Sequence, residues 1–234
     1  MTYSETFIKA FTLIFSLEPE TASAIIATLF SSSLAMLICT LLGLPLGFLL
    51  GFYNFKAKRT VKALVNTLLS FPTVVTGLIV YMLLSNAGPL AALNLLFTVY
   101  GVSIGLAILG LPLIVSLTAN AVETADSRLR LTILTLGANP TQTLFTYIWE
   151  LRFNLTMVLI ATFGRLISEV GIAMMVGGNI KWHTRTMTTA IALETGKGDF
   201  ATALALGIVL LFIALIINIA ISLLQLKDKE QIKI

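Results

Sequence analysis

Two ionisable residues stand inside an otherwise apolar stretch. Arg165 and Glu169 lie in the run ATFGRLISEVGIAMMV, four positions apart. On an α-helix that spacing puts both side chains on one face, where guanidinium and carboxylate can pair. A charge at the centre of a bilayer costs roughly 2.5–3.5 kcal/mol on insertion scales, and such residues default to a functional hypothesis. Two readings are open. The pair ties its helix to neighbouring helices, or it belongs to a pathway in which Arg165 meets an anion while Glu169 holds the guanidinium in place and offsets its charge.

A second polar group follows at once. Gly177-Gly178-Asn179 supplies a tight turn with exposed backbone N–H groups, and Thr184, Arg185, Thr186, Thr188 and Thr189 add further donors. Donors of this kind can relay an oxyanion without binding it strongly. The competing reading is a capped loop followed by a surface helix. His183 is the single histidine and has no acidic or cysteine neighbour at ligand spacing, so no metal site is expected. No Gly-rich loop ends in Lys-Ser/Thr, and no nucleophile–base–acid set stands in a loop. The expectation is a protein that is not an enzyme, binds no cofactor and does not hydrolyse ATP itself.

The third polar interruption runs from Glu123 to Arg152. Asp126 or Ser127 can cap a short helix that ends at Gly137, a residue suited to a left-handed stop. Asn139 then caps a second helix, with Pro140 at its first position and Gln142 completing a capping box. Leu144, Phe145, Ile148 and Trp149 are apolar residues on a segment outside the membrane, and such residues usually need a partner. They pack on the protein's own spans or they dock another protein.

The elements that position these residues are set by composition. Hydrophobic residues are 57% of the 234 positions and charged residues only 11%; the mean hydropathy is +0.98. Thr21–Phe55 and Ala63–Val122 carry no charge at all. Uncharged runs of about 20 apolar residues cross the hydrocarbon core as helix, and backbone groups in lipid must bond internally. Without the alternation of barrel strands, the fold expected is an all-α polytopic membrane protein. Five spans are read: Ala22–Phe52, Val61–Leu84, Gly101–Ala121, Leu155–Val176 and Phe200–Leu224. Residues 1–20 form an N-terminal segment, in which Glu5–Leu17 lies at the interface as an amphipathic helix. Residues 21–225 form one transmembrane domain with the loop at about 123–153, and 226–234 a tail.

Loop cations give the orientation. Ten lie on one side: Lys56, Lys58, Arg59, Lys62, Arg128, Arg130, Arg152, Lys227, Lys229 and Lys233. Four lie on the other: Lys9, Lys181, Arg185 and Lys197. The positive-inside rule puts the N-terminus outside and the C-terminus in the cytoplasm of a cell-membrane protein. The formal charge of +4 is therefore a topology signal, not a nucleic-acid-binding one. Cys39 lies mid-span, which excludes a disulfide framework, and no removable signal peptide is read. Gly43, Gly47 and Gly51 share a helix face suited to close packing, with Pro45 between them. Pro45, Phe71-Pro72 and Leu111-Pro112 are sites of ordinary packing or of a hinge.

Thr135-Leu-Gly-Ala-Asn139 resembles the cytoplasmic coupling loop of ABC importer permeases, which inserts a short helix into a groove on an ATPase subunit. Leu136, Gly137 and Ala138 keep the family pattern; Leu131 stands where it has an acid, and Glu150 where it has a proline. The segments Ser168–Ile180 and Thr184–Gly198 resemble the tungstate branch of the molybdate/tungstate/sulfate oxyanion permeases. The resemblance covers nearly the whole chain and is most specific over Arg165–Gly198. It implies a permease subunit of an ATP-driven importer for tungstate, or alternatively molybdate or sulfate. It implies Leu136, Gly137, Ala138, Asn139 and Gln142 as ATPase-coupling residues, and Arg165, Glu169, Gly177, Gly178, Asn179, Thr184 and Arg185 as pathway and gate residues. The partners implied are a second copy of the chain, ABC ATPase subunits and an extracytoplasmic oxyanion-binding protein, all in a lipid setting. The rival from another class is a secondary transporter or channel. Such proteins usually show repeated halves around a midplane site, and no repeat is visible here.

Overall fold

A computed structural model describes Ala10, Thr12 and residues 18–125, 132, 133 and 135–232. The expected interfacial helix at Glu5–Leu17 and the caps at Asp126 and Ser127 lie almost wholly outside the described residues. The described chain is all-α. The elements are α1 (Pro19–Phe52), α2 (Lys58–Leu69), α3 (Thr73–Leu84), a 3₁₀ turn (Ala91–Leu93), α4 (Val99–Glu123), α5 (Pro140–Glu150), α6 (Arg152–Ile167), α7 (Gly171–Gly177), α8 (Met187–Lys197) and α9 (Phe200–Ile232).

Spans one, three and five are single helices. Three helices are long and apolar enough to cross a membrane, and up to five spans exist if each of two bent helix pairs is one span. Helix α1 starts with Pro19 in its first turn and Glu20 beside the positive end of the helix dipole. Its glycine face packs on α4. A Cβ at Gly43 would lie 2.7 Å from Ile114 Cγ2, at Gly47 2.7 Å from Thr118 Cβ and 2.8 Å from Val115 O, and at Gly51 2.7 Å from Ala119 O. Only glycine permits that approach, so the packing role of this face is realised. Both α1 and α4 continue through Pro45 and Pro112. Inside these helices the hydroxyls of Thr28, Ser31 and Thr40 donate to carbonyls one turn back, which satisfies them without solvent.

The two other spans depart from the expected single helices. Val61–Leu84 is α2 and α3, bent by 94°. The break falls at Phe71-Pro72, where proline has no N–H to continue the ladder and disfavours helical backbone before it. Leu155–Val176 is also interrupted. Helix α6 ends at Ile167, and the short α7 begins only at Gly171. Helix α6 is instead continued backwards by α5 across a 65° bend. Helix α3 packs on α7 through two more glycines. A Cβ at Gly77 would lie 3.1 Å from Ile172 Cα, and one at Gly171 would lie 2.9 Å from Thr73 Oγ1.

The central core joins α1, α3, α4, α6 and α7 through buried residues such as Cys39, Val80, Val102, Ile114, Leu166 and Ile172. Helix α9 has the most apolar stretch, with mean hydropathy 3.0 over its best window, and it leaves Leu211, Phe212, Leu215 and Ile219 exposed. A largely apolar outward surface over a stretch this long matches lipid, not water.

Candidate functional site

Arg165 and Glu169 do pair, with Nη1 2.8 Å from Oε2. Their environments are unequal: the arginine side chain is 44% exposed and the glutamate 3%. The pair also sits at a helix break, not within one continuous helix as expected. The second carboxylate oxygen accepts from the Gly171 N–H at 2.9 Å and the Ile172 N–H at 3.4 Å. It therefore caps the orphan donors at the start of α7. The Glu169 carbonyl accepts from Thr188 Oγ1 at 2.8 Å. Glu169 thus joins α6, α7 and α8, and leaves the guanidinium half open to the exterior of the chain.

The Gly-Gly-Asn segment closes α7. Gly178 adopts φ +68° and caps the helix, its N–H donating to Met174 O. The ring of Phe97 packs where a Gly178 side chain would stand, 2.7 Å from the ideal Cβ, and the Phe97 N–H donates to Val176 O. Thr184, Thr186, Thr188 and Thr189 are buried, and their hydroxyls bond within the protein. Thr184 donates to Gly177 O, and Thr186 and Thr189 form a capping box on α8. Met187 N–H donates to Thr28 Oγ1 of α1. Arg185 Nε donates to Asn179 Oδ1 at 3.2 Å. Arg185 also pairs with Glu20 of α1 at 2.5 Å, and Lys181 takes the other Glu20 oxygen at 2.6 Å. A cavity of about 230 Å³ adjoins this pair; its charged lining is Glu18, Glu20, Glu194 and Asp199 against Lys181, Arg185 and Lys197. His183 lies beside Trp182 in a separate lateral pocket, and among the described residues no cluster of His, Cys, Asp or Glu is placed to hold a metal ion.

At the opposite end of α1 stands the loop. Gly137 has φ +73° with open space around its ideal Cβ. The expected capping box is present: Asn139 Oδ1 accepts from Gln142 N–H at 2.8 Å, and Gln142 Oε1 accepts from Asn139 N–H at 2.9 Å. Helix α5 has two faces. Thr143 and Tyr147 are buried, with Leu144 half-buried against the lower core of Phe48, Val122 and Leu155. Phe145 and Trp149 on the other face, and Leu136 before the helix, are 66%, 69% and 80% exposed. Leu144 thus belongs to the chain's own packing, while Leu136, Phe145 and Trp149 project away from it.

Sequence reasoning passed over Glu20 and Phe97, and used Lys58, Lys62 and Glu123 only as loop charges and a loop boundary, without their pairing. Each acts through a partner distant in the chain, such as Glu20 on Arg185, and no local spacing marks such a pair. The positive φ of Phe97, 59°, is likewise invisible without the fold.

Long apolar helices, a break at the ionisable pair, and the apolar face that α5 leaves exposed at one end define a polytopic α-helical membrane protein. The chain belongs to the family described as binding-protein-dependent transport system inner membrane component, whose profile matches residues 43–227. It is thus a permease subunit of an ABC importer; ATP hydrolysis resides in a separate subunit. The chain is 47% identical over 212 residues to the tungstate uptake system permease protein TupB of Campylobacter jejuni, covering 91% of this chain and 89% of that one. It is 40% identical to the tungstate uptake system permease protein TupB of Peptoclostridium acidaminophilum, covering 95% and 97%. It is 38% identical to a probable anion ABC transporter permease protein of Haloferax volcanii, covering 82% and 84%. The fold matches an inward-facing structure of the MetNI methionine ABC transporter with TM-score 0.68 at 20% identity, covering 89% of this chain and 97% of that one.

Proposed function

We propose that this chain forms half of the membrane pore of an importer that takes up tungstate. The carrying observation is the 47% identity to a tungstate uptake permease along nearly the full length of both chains. A binding protein delivers the oxyanion to the outer face, and two copies related by a two-fold axis enclose the path, since homo-oligomers are commonly symmetric. The N-terminus lies outside and the C-terminus in the cytoplasm. Residues 1–20 lie at the interface, 21–225 form the permease domain, and 226–234 are a cytoplasmic tail.

The loop at 123–153 docks one ATPase subunit. Exposure of Leu136, Phe145 and Trp149 beside the capped start of α5 supports this. Gly137 supplies the bend, Leu136 and Ala138 flank it, and Asn139 with Gln142 holds the docking helix rigid. ATP-driven closure pushes both loops and shifts the pore between inward-open and outward-open states. Arg165, half open and held by Glu169, meets the anion along the path. Gly177, Gly178, Asn179, Thr184 and Arg185 form the outer gate, which the bonds of Thr184 to Gly177 and of Arg185 to Asn179 and Glu20 hold together.

The test reconstitutes the chain with its ATPase and binding protein in liposomes and compares tungstate, molybdate and sulfate. Tungstate is expected to stimulate hydrolysis at the lowest concentration. Stimulation by sulfate alone would overturn the substrate, and ion-gradient uptake without the ATPase would overturn the class.

A further inference from the structure

Glu123 is the last residue of α4, and the loop of residues 124–139 follows it directly. Its carboxylate is forked between two lysines of α2. Oε1 lies 2.9 Å from Lys58 Nζ, and Oε2 lies 2.5 Å from Lys62 Nζ. Lys58 Nζ also donates to Gly51 O at 3.0 Å, near the end of α1. One carboxylate and one ammonium therefore join the ends of three helices at the root of the loop. All three side chains are less than a third exposed, so this is not the freely solvated pair whose worth is close to zero.

Helix α2 has no buried residue of its own. Its place is set by few ties: the Glu123 clasp, Val61 and Val65 against Leu50, Val115 and Ala119, and Ser116 Oγ to Asn66 Oδ1 at 3.0 Å. Beyond the 94° bend, α3 is locked to α7 by the glycine contacts at Gly77 and Gly171. The N–H of that same Gly171 is held by Glu169. A continuous line of packed elements therefore runs from the root of the loop to the segment bearing Arg165, Glu169, Gly177 and Gly178.

The geometry points to Glu123 as a positioning residue of the transport cycle: its clasp on Lys58 and Lys62 carries displacement of the loop into α2, and through α3 into α7. It rests on the reading of that loop as the ATPase-facing one. A loop moved without the clasp would slide past α2, and hydrolysis would continue without moving the distant residues.

Contiguity alone is not coupling, so the test is a mutant cycle in liposomes holding the permease, its ATPase and its binding protein. The variants are Glu123→Gln, Lys58→Gln with Lys62→Gln, and all three together. Tungstate imported per ATP is expected to fall about tenfold in Glu123→Gln, within the usual range of coupling between sites, and no further in the triple variant. The ATPase should still co-purify. A Val74→Cys reporter on α3 should lose its ATP-dependent change in thiol labelling; the native thiol, Cys39, is buried. An unchanged ratio, additive effects of the two sides, a persistent labelling change or loss of the ATPase would each overturn the proposal. If Glu123→Gln does not fold, Lys62→Gln alone keeps the Lys58 bridge and must still lower the ratio. A wild-type complex unstimulated by tungstate would instead sink the importer reading, which separates the two failures.

Discussion

At the scale of single residues, Glu169 combines two tasks in one carboxylate. One oxygen holds Arg165, and the other caps α7. Glu169→Ala leaves the N–H groups of Gly171 and Ile172 without their acceptor, and a buried unpaired group costs about 1–3 kcal/mol. Thermal unfolding in detergent should show that loss. Glu169→Gln can still accept from the Gly171 N–H but no longer offsets the charge of Arg165. It should retain most of the stability and lose tungstate uptake; full uptake in that variant would remove Glu169 from the pathway. At Gly137 the space around the Cβ position is open. Among the described residues nothing lies within 4 Å of that position, and the left-handed backbone costs a non-glycine residue about 1–2 kcal/mol. Gly137→Arg should therefore insert normally and lose ATPase association or stimulation. Ordinary stimulated hydrolysis in that variant would refute the docking role of the bend.

Elements carry different predictions. The face of Gly43, Gly47 and Gly51 lets α1 approach the backbone of α4, and backbone cannot yield as a long side chain can. Gly47→Val should cost at least the 1–3 kcal/mol or so typical of overpacking and appear as aggregated protein in size-exclusion chromatography. Gly207→Ala on α9 is the control, since nothing lies within 4 Å of its Cβ position; it should elute as the wild type. The cap of α5 is a separate unit. Asn139→Ala removes the acceptor for Gln142 N–H and should cost about 1 kcal/mol, seen as faster proteolysis within 139–143.

At the scale of the whole molecule, the charged loops divide by position along α1. This helix has 34 residues and is therefore about 51 Å long at 1.5 Å per residue, enough to separate two membrane faces. Glu20 gathers Lys181 and Arg185 at its start, and Gly51 receives Lys58 near its end. Cysteines introduced at Lys58 and Lys181 should consequently label from opposite sides, with Lys58 reached from the cytoplasm. Labelling of both from one side would refute the proposed topology. The two-copy arrangement is open to crosslinking in native membranes, where a dimer is expected.

The division between sequence and fold follows the range of the interactions. Apolar length and the absence of charge were enough for membrane helices, because lipid demands local backbone bonding whatever the neighbours do. The capping box of Asn139 and Gln142 and the Arg165–Glu169 pair were also legible, since each joins residues within four positions, and the left-handed backbone at Gly137 was legible from the residue type. The breaks were only partly so. Phe71-Pro72 marked a possible bend, but whether it became one depended on α3 finding α7, whereas Pro45 and Pro112 stayed inside helices backed by the α1–α4 core. The end of α6 at Ile167 had no proline to announce it. It became visible once Glu169 was seen to cap a new helix. Glu20 on Arg185 and Lys58 and Lys62 on Glu123 are contacts across 165, 65 and 61 positions, and no pattern along a chain specifies these. By itself the sequence determined what must lie in lipid and what must cap, because those requirements are satisfied locally. Only the tertiary structure decided which charges meet, because that depends on where close-packed helices bring their ends.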